Sequence, residues 1–162
     1  GDIKSQLKPD SHDLLPGIIQ DMDGNIVLYG LYEFIYGEPS LPPVKFNRII
    51  GATPYKDGIL VIGKMEENDI YSLYSLKKDD VENNNISGEG YPLIEDLKSF
   101  SIKGDYLSIV GENRVLILDL KEKKVISELS PESDIVRGDF SSTEGLYVVV
   151  SGEGVSVYRY AE

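Results

Sequence analysis

The sequence predicts an all-β fold made of about four copies of one antiparallel four-stranded unit, and three observations predict it. Short apolar runs rich in Val, Ile, Leu and Tyr alternate with Gly, Asp, Asn or charged clusters along the chain, the pattern of strands joined by tight turns. A turn, a run ending in glycine and a third run recur together four times. No stretch shows the 3.6-residue periodicity of an amphipathic helix.

The clearest copy is residues 100–129, FSIKGDYLSIVGENRVLILDLKEKKVISEL. Its apolar runs at 100–102, 106–110, 115–120 and 125–129 are separated by Lys103-Gly104-Asp105, by the Gly-Glu-Asn-Arg stretch 111–114 and by the Lys-Glu-Lys-Lys stretch 121–124. Such punctuation predicts an up-and-down meander of four strands.

The turn before the second strand anchors the other copies. It reads Asp23-Gly24, Asp57-Gly58, Gly104-Asp105 and Glu144-Gly145, so the anchoring positions 24, 58, 104 and 145 are spaced by 34, 46 and 41 residues. After each anchor comes a run ending in Gly30, Gly63, Gly111 or Gly152, then a third run at 31–36, 69–76, 114–120 or 155–160. A period near 40 with several strands per copy is that of propeller blades.

The copies are unequal. The first is followed by GEPSLPP, where three prolines remove ladder donors, so its outer strand is expected to be degenerate or confined to a sheet edge. The second carries the polar stretch 77–96, read as a weak outer strand at 81–86 followed by a long loop. The fourth stops after its third run. Residues 3–11 (IKSQLKPDS) align with 125–133 (VISELSPES), matching Ser, Leu, Pro and Ser. The N-terminal segment from Ile3 to Leu7 is therefore expected to complete the last blade as its outer strand, beside 155–160.

This pattern resembles the WD40-like and related β-propellers. The best local match is VLILDL (115–120), similar to the end of the WD40 third strand, with Asp119 at the Asp position and Leu118 where Trp stands in the family. The chain has no tryptophan, no Gly-His pair, and His12 as its one histidine, so the Asp-His-Ser/Trp network of WD40 repeats has no counterpart. The resemblance implies a fold and a binding-platform role, and it transfers no functional residues. Residues 1–162 are accordingly read as a single propeller-like domain of about four blades, complete, half of an eight-bladed dimer, or part of a longer propeller. A β-sandwich is the alternative fold.

Composition narrows function by exclusion. With 28 acidic against 16 basic residues the formal charge is −12, which disfavours a surface that follows a phosphate backbone. Free nucleic acid is therefore not an expected partner, and the basic cluster Lys121, Lys123 and Lys124 falls in one hairpin. The longest apolar runs, about five residues, are far below the ~20 that span a bilayer. With no cysteine, disulfides, thiolate chemistry and Cys-based metal sites drop out. Cysteine usage does not set the compartment, and a soluble protein, cytoplasmic rather than secreted, is favoured. The chain opens on Gly1 rather than Met, consistent with a processed product or a domain of something longer.

Asp21, Asp23 and Asn25 imitate the start of a calcium loop, yet Gly24 comes too early for an EF-hand, at loop position 4 rather than 6, and sister copies carry KDG, KGD and TEG there; a hairpin turn is the expectation, with no metal. His12 beside Asp13 lacks the further groups that catalysis needs, and Asn85-Ile86-Ser87 is a three-letter sequon that arises by chance. Glu66-Glu67 and Asp79-Asp80 read as solvated turn charges. Tyr29, Tyr71, Tyr106, Tyr147 and Tyr158 lie in strand runs, as packing residues. Tyr55 and Tyr91, beside Pro54 and Pro92 near turns, are the candidate partner contacts, with Pro92 itself. No phosphate-loop, nucleophile-elbow, zinc-protease or dinucleotide fingerprint occurs, so neither catalytic residues nor a cofactor is expected. The sequence thus points to a non-catalytic binding or scaffold module for a protein partner, with a homodimer also open. Its alternatives are the propeller portion of a larger hydrolase or oxidoreductase, and a lectin-like propeller that binds sugar or a small ligand.

Overall fold

The computed structural model describes residues 17–38, 40–67, 71–84, 86, 88–89 and 96–161. The chain divides at 92/93 into two compact units, each containing two antiparallel sheets.

In the first unit, β1 (Gly17–Gln20), β2 (Ile26–Tyr29), β3 (Glu33–Tyr36) and β4 (Val44–Lys45) form the first sheet in that order, and β5 (Arg48–Tyr55), β6 (Gly58–Lys64), β7 (Ser72–Leu76) and β8 (Gly88–Glu89) form the second. The first outer strand, β4, is two residues long directly after Pro42 and Pro43, as the loss of ladder donors requires. Pro54 is tolerated in β5 because β5 is an edge strand. Alternation along the strands turns Val27, Phe34 and Tyr36 of the first sheet, together with Ile59, Val61, Tyr74 and Leu76 of the second, into one buried cluster. The Tyr36 hydroxyl donates to the Leu76 carbonyl at 3.3 Å, tying β3 to β7.

One expectation is corrected in this unit. Residues 78–82, overlapping the outer strand expected at 81–86, form a short helix α1 (Lys78–Glu82), and the edge strand is β8, further along. The Lys77 N–H donates to the Asp80 carboxylate at 3.1 Å, and Asp79 and Asp80 occupy the first turn, where the free N–H groups favour acids. The pair Asp79-Asp80 is therefore the start of a helix rather than a turn. Val81, 2% exposed, seals α1 onto the core.

The second unit contains β9 (Ser99–Lys103), β10 (Tyr106–Val110), β11 (Val115–Asp119) and β12 (Lys124–Leu129) as the expected meander, and a three-stranded sheet of β13 (Ile135–Phe140), β14 (Leu146–Ser151) and β15 (Gly154–Arg159). The fourth copy has no outer strand among the described residues. The pairing of Ile3–Leu7 with β15 falls outside them. Val110, Val115, Ile117 and Leu129 from one sheet pack with Ile135, Tyr147, Val149 and Tyr160 from the other.

The four anchoring turns share one physical device. Each joins the first and second strands of its sheet and holds one residue at positive φ: Gly24 (88°), Lys56 (53°), Gly104 (61°) and Gly145 (84°). Three of the four are glycine, which enters that region without strain.

Candidate functional site

A cleft of about 770 Å³ lies in the second unit. Three turns build it: Lys103–Tyr106 between β9 and β10, 119–122 between β11 and β12, and 142–144 between β13 and β14, with Tyr160 following β15. Antiparallel pairing puts these turns at the same end of their sheets, so the site follows from the meander connectivity.

Tyr160 and Tyr106 form its floor. Their rings meet edge-on with centroids 5.2 Å apart. Phe140 packs edge-on to Tyr160 at 5.2 Å and to Tyr147 at 5.1 Å. Four rings thus run from the cleft into the core, each pair in the geometry that ring quadrupoles favour. Tyr160 is 9% exposed; burial raises its pKa against the opposing hydrogen bond from the Gly145 backbone. A neutral phenol therefore faces the cleft.

The rim is charged. Asp105, Asp119, Glu122 and Glu144 face Lys103 and Lys121, four acids against two bases, a formal excess of −2. The Asp119 carboxylate accepts from the backbone N–H groups of Lys121 at 2.9 Å and Glu122 at 3.0 Å, which fixes that turn. The Lys103 ammonium donates to the Ser141 carbonyl and bridges two of the walls. Glu122 and Glu144 are exposed on the rim.

The sequence-derived sites fall elsewhere. Tyr55, half-buried, ends β5 in the first unit opposite Gly58, with the Lys56 ammonium 5.3 Å from its ring centroid. Tyr91, Pro92 and His12 lie outside the described residues. Residues Asp21–Asn25 form the β1–β2 turn, as expected: Asp21 accepts from the N–H groups of Asp23 (3.0 Å) and Asn25 (2.8 Å) and from the Asn25 side-chain amide (2.9 Å). Among the described residues no group of three His, Cys, Asp or Glu side chains is placed to hold a metal ion, and no helix is long and apolar enough to cross a membrane.

No protein-family model and no curated protein matches the sequence. Solved structures do. The WD40 domain of Neurospora crassa Pan2 matches at 16% identity and a TM-score of 0.59, over 96% of this chain and 50% of that one. Hsv2 from Kluyvelomyces marxianus matches at 13% identity and 0.61, over 99% and 51%. BBS1N, solved in complex with ARL6DN, matches at 13% identity and 0.59, over 90% and 46%. In fold the chain is similar to WD40 and other β-propeller domains. Its sheets are propeller blades, and it spans about half the length of these propeller chains. Leu118, 1% exposed, is a buried aliphatic side chain of β11.

Proposed function

We infer that the chain, taken as one propeller-like domain, is a non-catalytic binding module for a protein partner, and that its cleft takes up a basic segment of that partner. The observation that carries this reading is the pairing of a two-tyrosine floor with a rim that has an excess of two negative charges. An Arg or Lys side chain entering it would meet tyrosine rings below and carboxylates around it, and a ring face and a carboxylate each attract a cation. Loops on a rigid blade scaffold are the usual carriers of such contacts. That BBS1N was solved with a protein bound supports the use of this kind of fold as a protein-binding surface.

The test is site-specific photocrosslinking. A photoreactive residue at Lys121, on the rim, should capture a partner whose cross-linked peptide contains Arg or Lys. The double reversal Glu122→Lys/Glu144→Lys should lower the yield at least tenfold while the circular dichroism spectrum stays unchanged. Unchanged capture after reversal would refute the assignment of the cleft.

A further inference from the structure

Each unit places acids on the turns at one end of its two sheets, and the first unit neutralises them from within. There the segment that follows β7 begins Lys77-Lys78. The Lys77 ammonium pairs with Asp57 of the β5–β6 turn at 3.2 Å, and Lys78 pairs with Glu38, which follows β3. The hydrogen bonds from these lysines lower the pKa of Asp57 and of Glu38. Two adjacent lysines thus answer two turn carboxylates, one from each sheet of the unit. The hollow at this place, lined by residues of the β1–β2 turn, Gly37, Glu38 and Lys78, is small, about 270 Å³.

The repeat gives the second unit the same parts with a different charge. Its anchoring turn Glu144-Gly145 corresponds to Asp57-Gly58, its β11–β12 turn to the connection from β3 to β4, and the residues after β15 to those after β7. The acids are kept: Glu144 and Glu122 stand exposed on the rim of the 770 Å³ cleft, and neither has an ion-pair partner among the described residues. The lysines are not kept, because Tyr160 and Ala161 follow β15. Asp119 is committed to the N–H groups of its own turn, and the Lys103 ammonium to the Ser141 carbonyl. Glu122 and Glu144 therefore carry the open charge of the rim. Four acids against two bases leave an excess of −2, the charge that two cations would cancel.

We propose that the cleft recognises two adjacent basic residues of the partner, the first held by Glu144 and the second by Glu122, as Asp57 and Glu38 hold Lys77 and Lys78. The inference rests on the cleft being the site for a basic segment, and it adds the pattern that is read there. Exposed ion pairs are individually weak and screened by salt. Selectivity accordingly comes from meeting both carboxylates at once, with the tyrosine floor adding contact beneath.

Amide NMR titration of the 162-residue chain with four capped tetrapeptides tests this. Ala-Lys-Lys-Ala should bind ~3-fold more tightly than Ala-Lys-Ala-Ala or Ala-Ala-Lys-Ala, the contribution of one exposed ion pair. It should exceed the charge-matched Lys-Ala-Ala-Lys by about the same factor, since separated lysines cannot meet both acids in this way. Glu144→Gln should erase the gain from the first lysine and Glu122→Gln the gain from the second, with circular dichroism spectra unchanged. Equal affinity for the four peptides, or variants that weaken all four by the same factor, would overturn the proposal; saturating shifts at the cleft would then still leave it as a site for single cations. No saturating shift at 103–106, 119–122 or 142–144 with any peptide would overturn both readings.

Discussion

The Tyr147 hydroxyl donates to the Ser108 hydroxyl at 3.1 Å, and neither residue has any exposed surface. Ser108 also shares a 2.7 Å hydrogen bond with Ser101, so a polar thread crosses from β14 through β10 to β9 inside an otherwise apolar layer. A buried phenol needs a partner for its proton, and these serines supply it. Tyr147→Phe should cost about 1 kcal/mol, the worth of the hydrogen bond, and Tyr147→Ala about 3–5 kcal/mol, the worth of the ring. Urea unfolding measures both. Equal losses would mean that the hydroxyl, not the ring, holds the seam.

Alkaline stability follows from the same residue. Burial pushes the Tyr147 phenol up from 10.0 to about 12, with the Ser108 hydrogen bond opposing and Asp139 adding to the rise. Because the folded pKa lies above the unfolded one, this contribution is fully present below pH 10 and is lost as pH climbs from about 10 towards 12. The loss is on the order of 2–3 kcal/mol. Between pH 9 and 11.5 the Tyr147→Phe chain should lose less stability than the wild type; parallel curves would contradict the argument.

The anchoring turns make a paired prediction. Gly145 sits at φ +84°, and a Cβ there would lie 2.6 Å from the Ala161 carbonyl oxygen, whereas Gly104 at +61° has open space around it. Gly104→Ala should cost about 1 kcal/mol in backbone strain, and Gly145→Ala clearly more, because the chain after β15 must move. Thermal melts of the two variants decide the order.

Helix α1 can be separated into its parts. Asp80→Ala removes the hydrogen bond to the Lys77 N–H and should cost about 0.5–1 kcal/mol. Val81→Asp places a carboxylate in the first core and should cost at least ~3 kcal/mol. Chemical unfolding checks both, and a silent Val81→Asp would remove α1 from the core.

Much of the blade pattern was legible because turn chemistry and strand alternation are local. Gly104-Asp105 and Glu144-Gly145 marked the turns before β10 and β14, and the three prolines of GEPSLPP announced the stunted β4. Helix α1 escaped because one helical turn is too short to show a period; the signal available was Asp79-Asp80 placed just before Val81. The cleft escaped for another reason. Tyr106, Asp119, Glu144 and Tyr160 come from four separate parts of the chain, and each alone looks like an ordinary turn or strand residue. Only the packing of two meanders brings them together. Sequence reasoning favoured Tyr55 for its proline neighbour, a cue that registers a turn but not a concavity.

The most direct test of the cleft as the binding site is a backbone amide NMR titration of the chain with a short arginine-containing peptide, run beside its glutamate-substituted counterpart. Shifts that saturate with the basic peptide alone and cluster on 103–106, 119–122, 142–144 and Tyr160 are expected. Shifts centred on Tyr55, or equal responses to both peptides, would contradict it.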